Sequence, residues 1–268
     1  MDDALLTHEP LIRMGFFFSM LAIIATWEVV AARRPQRIHR RKRWPANLLI
    51  VALDTLTVRL LLPFTATGIA LIASENGWGV FNGVAAPMWL SIVVTVVVLD
   101  AAIYFQHRLF HAVPWLWRLH RMHHADLEFD VTTGLRFHPL EILLSMMIKT
   151  IMVLALGAPA VAVMTFEVLL NATALFNHGN VQLPRRIDRW LRLVVVTPDM
   201  HRVHHSIIRR ETDSNFGFNL PWWDRLFGTY RDQPRKGHLR MTVGIEDFRT
   251  QRDLRLDRML LQPFLSGQ

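Results

Sequence analysis

Residues 88–111 read MWLSIVVTVVVLDAAIYFQHRLFH. The first part, Met88 to Phe105, is mostly apolar, with Asp100 its one charged residue, and approaches the roughly 20 residues that a helix needs to cross a bilayer. The last part, HRLFH, carries His107 and His111 four positions apart. If the helix runs on past the span, both imidazoles lie on one face, one turn apart. Two imidazoles so placed can grip one metal ion. A span that runs directly into a ligand pair predicts both a helical membrane fold and a metal site at its edge.

Other apolar runs extend this reading. Leu11 to Ala32 is long enough to span and lacks a small-residue cleavage site after it, so it reads as retained. RRPQRIHRRKR follows at residues 33–43, with seven Lys/Arg in eleven positions. Such a run is ordinarily a solvated face, and beside a span it is also a positive-inside signal, which puts the N-terminus outside. The second run, Asn47 to Ala73, is interrupted by Asp54, Arg59 and Pro63; the two charges are placed to pair, and Pro63 to kink the helix. Ser74 to Pro87 carries no Lys or Arg, as an outside loop should. Leu140 to Asn177 contains GAP at 157–159 and reads as a hairpin, either two spans or a shallow re-entrant pair. The expected fold is an all-α integral membrane protein with about four transmembrane helices and a cytoplasmic helical cap. Residues 1–95 form an anchor region, 96–232 a catalytic domain and 233–268 a cytoplasmic tail.

The chain has 268 residues, 51% apolar, yet a formal charge of +8. Basic chains often bind nucleic acid, but such proteins rarely carry several long apolar runs, and no nucleic-acid partner is expected. There is no cysteine, which excludes thiolate catalysis, iron–sulfur clusters and Cys-ligated zinc. Any metal must rest on His, Asp or Glu.

Ten of the thirteen histidines lie between His107 and His205, and the topology puts all ten on one side of the membrane. HRMHH at residues 120–124 supplies His120, His123 and His124; HRVHH at 201–205 supplies His201, His204 and His205. Each word follows a helix-start signal: Pro114 in PWLWRL, and Thr197-Pro198-Asp199 in TPDM, an N-cap, N1 and first-turn acid. A lone histidine is more often structural than a ligand. Eight gathered in i,i+3 and i,i+4 groups would repel one another once protonated, and a metal gives a reason to collect them. His138 and His178 flank the hairpin and return to the same depth, where capping and headgroup contact compete with ligation. Ten nitrogen ligands suit two metal ions better than one zinc. The HExxH word of zinc proteases and the ExxH pairs of ferritin-like carboxylate sites are both absent.

The order HxxxH, HxxHH, HxxHH between membrane spans resembles the fatty acid hydroxylase/sterol desaturase superfamily of integral-membrane non-heme di-iron enzymes. The likeness runs from about Asp100 to Tyr230 and includes TTGLRFHPLE (132–141), FNHGNVQLP (176–184) and NFGFNLPWWDRLFGTY (215–230), which look like bacterial members. The resemblance implies two iron ions held by His107, His111, His120, His123, His124, His201, His204 and His205, with His138 and His178 completing the set. It implies O2 as co-substrate, oxidation of a lipid C–H bond by hydroxylation or desaturation, and an inner-membrane location. Some relatives carry a fused cytochrome b5-like domain and this chain does not, so electrons are expected from a separate ferredoxin- or cytochrome b5-like carrier with its reductase. The rivals are a membrane hydrolase using zinc-bound water and a non-catalytic metal-binding or transport protein. Transport predicts ionisable groups along several spans, whereas these histidines cluster at one side.

Smaller expectations attach to single residues. Asp100 either orients a ligand imidazole or makes a structural hydrogen bond. Glu141 and Asn177 are placed to orient imidazoles. Arg121 and Arg202 are expected at the surface, with headgroup or carboxylate binding as the alternative. Trp222, Trp223 and Phe227 are read as packing rather than as an acyl pocket.

Overall fold

A computed structural model describes residues 2–266. The chain is helical, with no strand among the described residues and two isolated bridges, Ala32–Val181 and Ser206–Val243. Five stretches are long and apolar enough to cross a membrane, one more than expected. They comprise α1 (Glu9–Val30), the stretch holding α2 (Arg40–Leu61) and α3 (Ala66–Glu75), α4 (Met88–Ala112), α6 (Pro139–Leu156) and α7 (Ala160–Asn177). α5 (Pro114–His124) lies between α4 and α6.

The extra span comes from the hairpin. Gly157 ends α6 at φ 60°, in the left-handed region, where glycine sits without strain. A Cβ there would also stand 2.5 Å from Trp78 O. The turn is therefore sharp, and each arm keeps 18 residues, about 27 Å of helix, close to the roughly 30 Å apolar core of a bilayer. The second run breaks rather than kinks. α2 stops at Leu61, and α3 restarts with Thr65 Oγ1 accepting from Gly68 N at 3.0 Å. Pro63 in the gap has no N–H to continue the ladder. Asp54 and Arg59 do not pair; Asp54 Oδ1 is buried without a partner. Five positions on a helix separate two side chains by about 140°, so these two face different neighbours.

α7 is the central helix and packs against α1, α3 and α4. Ala66, Leu99, Val153, Val163 and Phe166 form the core between the spans, while Phe16, Phe18, Val29, Leu60 and Trp89 point outward. An ionic cluster lies among the spans. Glu167 accepts from Lys149 and from Arg13 Nη1 (2.7 Å), and Arg13 also reaches Glu9 (3.0 Å). Pairing of this kind is what a charge in an apolar interior requires.

The basic run at 33–43 is not simply solvated. Arg33 meets Asp199 at 3.0 Å, Arg34 donates to Met241 O at 2.7 Å, and Arg40 meets Glu28 at 3.1 Å. Arg43 is fully buried and grips Asp126 with Nε and Nη2 (2.8 and 2.6 Å) and Asp130 with Nη1 (2.6 Å). Asp126 stands two residues after His124, so this guanidinium ties α2 to the end of HRMHH. Burial favours neutral carboxyls, but the adjacent cation prevails and holds both carboxyls below the usual range. The C-terminal helix packs on the same region, with Met259 buried against Ala46, Ile50 and Met122. Arg43→Ala would strand two buried carboxylates, a change that typically costs about 3–5 kcal/mol. The expected outcome is a markedly lower thermal midpoint of the detergent-solubilised protein. A midpoint within error of the parent would show that the pair does not hold the fold.

Candidate metal centre

The span α4 continues beyond Phe105 to Ala112 and so carries His107 and His111 out of the apolar core. α5 restarts with Pro114 at its first position and delivers His120, His123 and His124. α8 (Arg185–Leu191) precedes α9 (Pro198–His204), where Thr197 Oγ1 accepts from Met200 N and Pro198 takes the first position. α9 delivers His201 and His204, with His205 at its C-cap. His178 is the C-cap of α7.

These elements bring nine of the ten expected histidines together, in two groups. His107, His111, His120, His124 and His204 form one; His123, His178, His201 and His205 form the other. Within each group, one ring nitrogen per residue lies within 4.8 Å of all the others, and all nine residues are buried. Each HxxHH word divides its doublet. HRMHH sends His120 and His124 to the first group and His123 to the second, while HRVHH sends His201 and His205 to the second and His204 to the first. The split follows from helix geometry, because i+4 returns within about 40° of the first residue whereas i+3 falls about 60° to its other side.

His138 does not join either group. It caps α6, with Nδ1 accepting from Leu140 N (3.2 Å) and Nε2 facing Leu260 O (3.3 Å). Both ring nitrogens are engaged in the way an N-cap dictates, so the two histidines that flank the hairpin, His138 and His178, have different surroundings.

Tautomers show whether the nine rings fit a metal. Nδ1 of His107, His178 and His204 lies 2.8 Å from the carbonyl oxygens of Phe216, Ala174 and Ser214 respectively. A carbonyl only accepts, so these Nδ1 atoms carry the proton and each Nε2 holds a lone pair. Carboxylates do the same for His120 (Glu141 Oε1, 2.7 Å) and His111 (Asp213 Oδ1, 3.2 Å). Yet Nε2 of His107 and Nε2 of His120 face each other at 3.1 Å, with no proton left to share. Nε2 of His204 is buried without any partner. Inward lone pairs in a dry interior repel, and a cation among them removes the conflict. A thiolate-free imidazole set of this kind suits Fe, Zn, Cu or Ni. Burial pushes the rings of His123, His124, His201 and His205 well below their ordinary pKa, His178 down to about 4 and His204 down to about 3. At neutral pH these rings are therefore unprotonated and ready to ligate.

The surrounding shell departs from the sequence reading in several places. Glu141 does orient an imidazole, whereas Asn177 donates to Phe218 O. Asp100 serves the structural alternative, accepting from Asn219 N, Leu220 N and Trp223 Nε1 (3.2, 3.2 and 2.8 Å). It thereby holds the 219–223 loop against α4. Arg121 and Arg202 are buried rather than at the surface. Arg121 binds the carbonyls of Gln262 and Leu265; Arg202 binds Asp199 and Gly179 O and lies over the Phe129 ring. Asp213, and the carbonyls of Phe216 and Ser214, had no signal in the sequence, since a backbone acceptor can come from any residue. Phe227 packs on Tyr104 and Phe105, and Trp223 on Asp100, as packing residues do. Phe137 stacks on His123 at 4.5 Å, and Phe216 stands edge-on to His107, His111 and His204, so aromatic rings wall both groups.

Comparison with known proteins gives a consistent answer. The family model "Fatty acid hydroxylase" matches residues 92–229, just over half of the chain. Ornithine lipid hydroxylase OlsE of Rhizobium tropici is 34% identical over 149 residues, covering 56% of this chain and 44% of the relative. Alkylglycerol monooxygenase of Homo sapiens is 28% identical over 154 residues, covering 56% and 32%. Cholesterol 25-hydroxylase of Mus musculus is 25% identical over 149 residues, covering 53% and 47%. The matched region thus spans less than half the length of each of these relatives. No solved structure matches.

The depressed imidazoles set a pH window for the metal-free protein. His178 and His204 titrate lower in the fold than the ordinary 6.5, so the unfolded chain binds more protons below that value. Stability is full above about pH 6.5 and falls as pH drops toward 4, by roughly 1.4 kcal/mol per unit for each such ring. Thermal midpoints of metal-stripped protein between pH 7 and 5 should decline accordingly. A flat profile would mean that these rings are not buried neutral.

Proposed function

Because the chain belongs to the fatty acid hydroxylase family, we propose that it is an integral-membrane oxygenase that uses O2 to hydroxylate a C–H bond of a lipid. The observation that carries the reading is the pair of imidazole groups whose Nε2 lone pairs face one another. In this proposal His107, His111, His120, His124 and His204 hold one iron ion, and His123, His178, His201 and His205 hold the other. His138 is left as the helix cap it forms. The iron pair, when bound, supplies the activation of O2 and the oxidation of the C–H bond. The overall balance is one lipid C–H, one O2, two electrons and two protons, giving one alcohol and one water.

The chain's own residues prepare that chemistry. Glu141 and Asp213 fix the tautomers of His120 and His111, and the Phe216, Ala174 and Ser214 carbonyls fix those of His107, His178 and His204. Phe137 and Phe216 keep water away, which protects an oxidising site from side reactions. α4 runs from its apolar stretch into the histidine set without a break, so the site stands at the end of a span.

Three named relatives are hydroxylases or a monooxygenase, with ornithine lipid, alkylglycerol and cholesterol in their names. A membrane-resident molecule with a polar head and a long hydrocarbon part is the proposed substrate class here, and hydroxylation is favoured over desaturation. Electrons come in this reading from a separate ferredoxin- or cytochrome b5-like carrier. The run at 33–43 supports a topology with the N-terminus outside and the metal site and C-terminus on the cytoplasmic side.

The test is a metal assay and a lipid assay on the same preparation. Protein purified in lipid nanodiscs should hold about two irons per chain, the number that two ligand groups of this kind accommodate, and membranes containing it should gain a lipid heavier by one oxygen. His204→Ala should lose both while keeping its helical circular dichroism. Glu141→Ala should keep the fold but weaken metal binding about 10–100-fold, as loss of a carboxylate behind a ligand histidine does. Zinc as the only metal, with turnover independent of O2, would replace this reading with the hydrolase.

A further inference from the structure

One face of the cap carries apolar side chains that the metal site does not use. On α8 and the turn after it, Ile187, Trp190 and Leu193 are exposed. Beside them, α10 (Trp222–Leu226) and the residue after it expose Trp222, Leu226 and Phe227. Two hydrogen bonds join the segments into one surface, Trp222 Nε1 to Leu193 O (2.6 Å) and Arg225 Nη2 to Arg192 O (2.9 Å). The same surface carries the exposed cations Arg185, Arg186 and Arg189. Asp188, the acidic residue of α8, is drawn inward to Arg192 Nε (2.8 Å) and Thr197 Oγ1 (2.6 Å), so the outward charge is positive.

What covers this face follows from where it leads. Phe227 stacks on Tyr104 at 5.6 Å and meets Phe105 edge-on at 5.1 Å. Phe105 is itself exposed and belongs to α4, a helix long and apolar enough to cross a membrane. The apolar surface therefore runs unbroken from the flank of a span onto the cap. A soluble partner would need the face to stand clear of the bilayer, and its continuity with a span argues the reverse. Tryptophan and phenylalanine with arginine at the margin is the composition of a segment lying in the membrane–water boundary, and the cations complement anionic headgroups.

We infer that the 187–193 and 222–227 segments form an in-plane membrane anchor, seated in the headgroup–acyl boundary of a leaflet that contains anionic phospholipid. Its apolar side chains lie among the upper acyl carbons, and Arg185, Arg186 and Arg189 lie at the phosphates. The inference rests on α4 being a span and is independent of any metal chemistry.

The chain has no cysteine, so single cysteines bearing a nitroxide label report one position each. In nanodiscs of phosphatidylcholine and phosphatidylglycerol, the full chain would be labelled at Trp190→Cys and Leu226→Cys on the face. Val93→Cys on the exposed flank of α4 and Lys236→Cys on an exposed polar loop serve as references. The expected result is that positions 190 and 226 resemble position 93, colliding more with oxygen than with a water-soluble nickel chelate, while position 236 does the opposite. Replacing phosphatidylglycerol by phosphatidylcholine should shift position 190 toward the chelate. Labels at 190 and 226 that read as aqueous, while 93 reads as lipid, would overturn the anchor and leave the span intact. Labels reached by neither reagent would overturn it in favour of a protein covering, such as a second copy. An aqueous reading at 93 would remove the span on which the inference depends.

Discussion

Inward-facing imidazole lone pairs in a buried interior are the constraint on which this structure depends. Each ring in such a place must give up hydration, and each pair at 3.1 Å, such as His107 and His120, adds repulsion rather than a hydrogen bond when both outer nitrogens already donate. An apolar protein of the same shape would pack the volume with Leu or Phe at no such cost. The arrangement fits a cradle for positive charge, and the surrounding fold holds the rings in place.

That support comes from two directions. Outside the rings, carbonyls and carboxylates fix which nitrogen is free. Behind the helices, buried guanidinium groups anchor the segments that bear the rings: Arg43 on Asp126 and Asp130, Arg136 on Met122 O (2.8 Å), Arg202 on Gly179 O. Met122 is the middle letter of HRMHH and Gly179 follows His178, so two of these arginines grip the backbone beside histidines of the two groups. An isolated buried arginine is costly; burial lowers Arg136 and Arg202 to about 10, still high enough to keep both cations at neutral pH. Arg43 and Arg202, read from sequence as surface charge, are thus part of the scaffold. A planar group with five donors can bind carbonyls and carboxylates at once.

The sequence makes legible whatever depends on spacing. The i,i+4 pair in HRLFH, the two HxxHH words, the starts at Pro114 and Thr197, and the turn at Gly157 are local patterns, and helix geometry carries them into three dimensions. What fails is whatever depends on a neighbour far away in the chain. Asp100 precedes His107 by two turns, but its partners are amides and an indole more than a hundred residues on. His138 and His178 look equivalent at the two ends of a hairpin. His138 heads a helix, where a ring nitrogen is wanted by a free N–H, while His178 ends one, where its Nδ1 can donate to the Ala174 carbonyl and turn its other nitrogen inward. The polarity of the two helix ends separates a cap from a candidate ligand, and no count of histidines reveals that.

The division of each doublet between the groups adds one more step. Because adjacent residues of HRMHH and HRVHH serve different groups, neither group can form on one helix alone. α5 and α9 must dock before either is complete, and α4 and α7 must deliver His107, His111 and His178 to the same place. The two groups are therefore one unit in folding, built where spans end and the cap begins. Under the proposed function the same placement would meet the opposing demands of lipid oxidation, with hydrocarbon approaching along the span and electrons and protons supplied from water. A site deep in the bilayer would lack the second supply, and one wholly in the cap would lack the first.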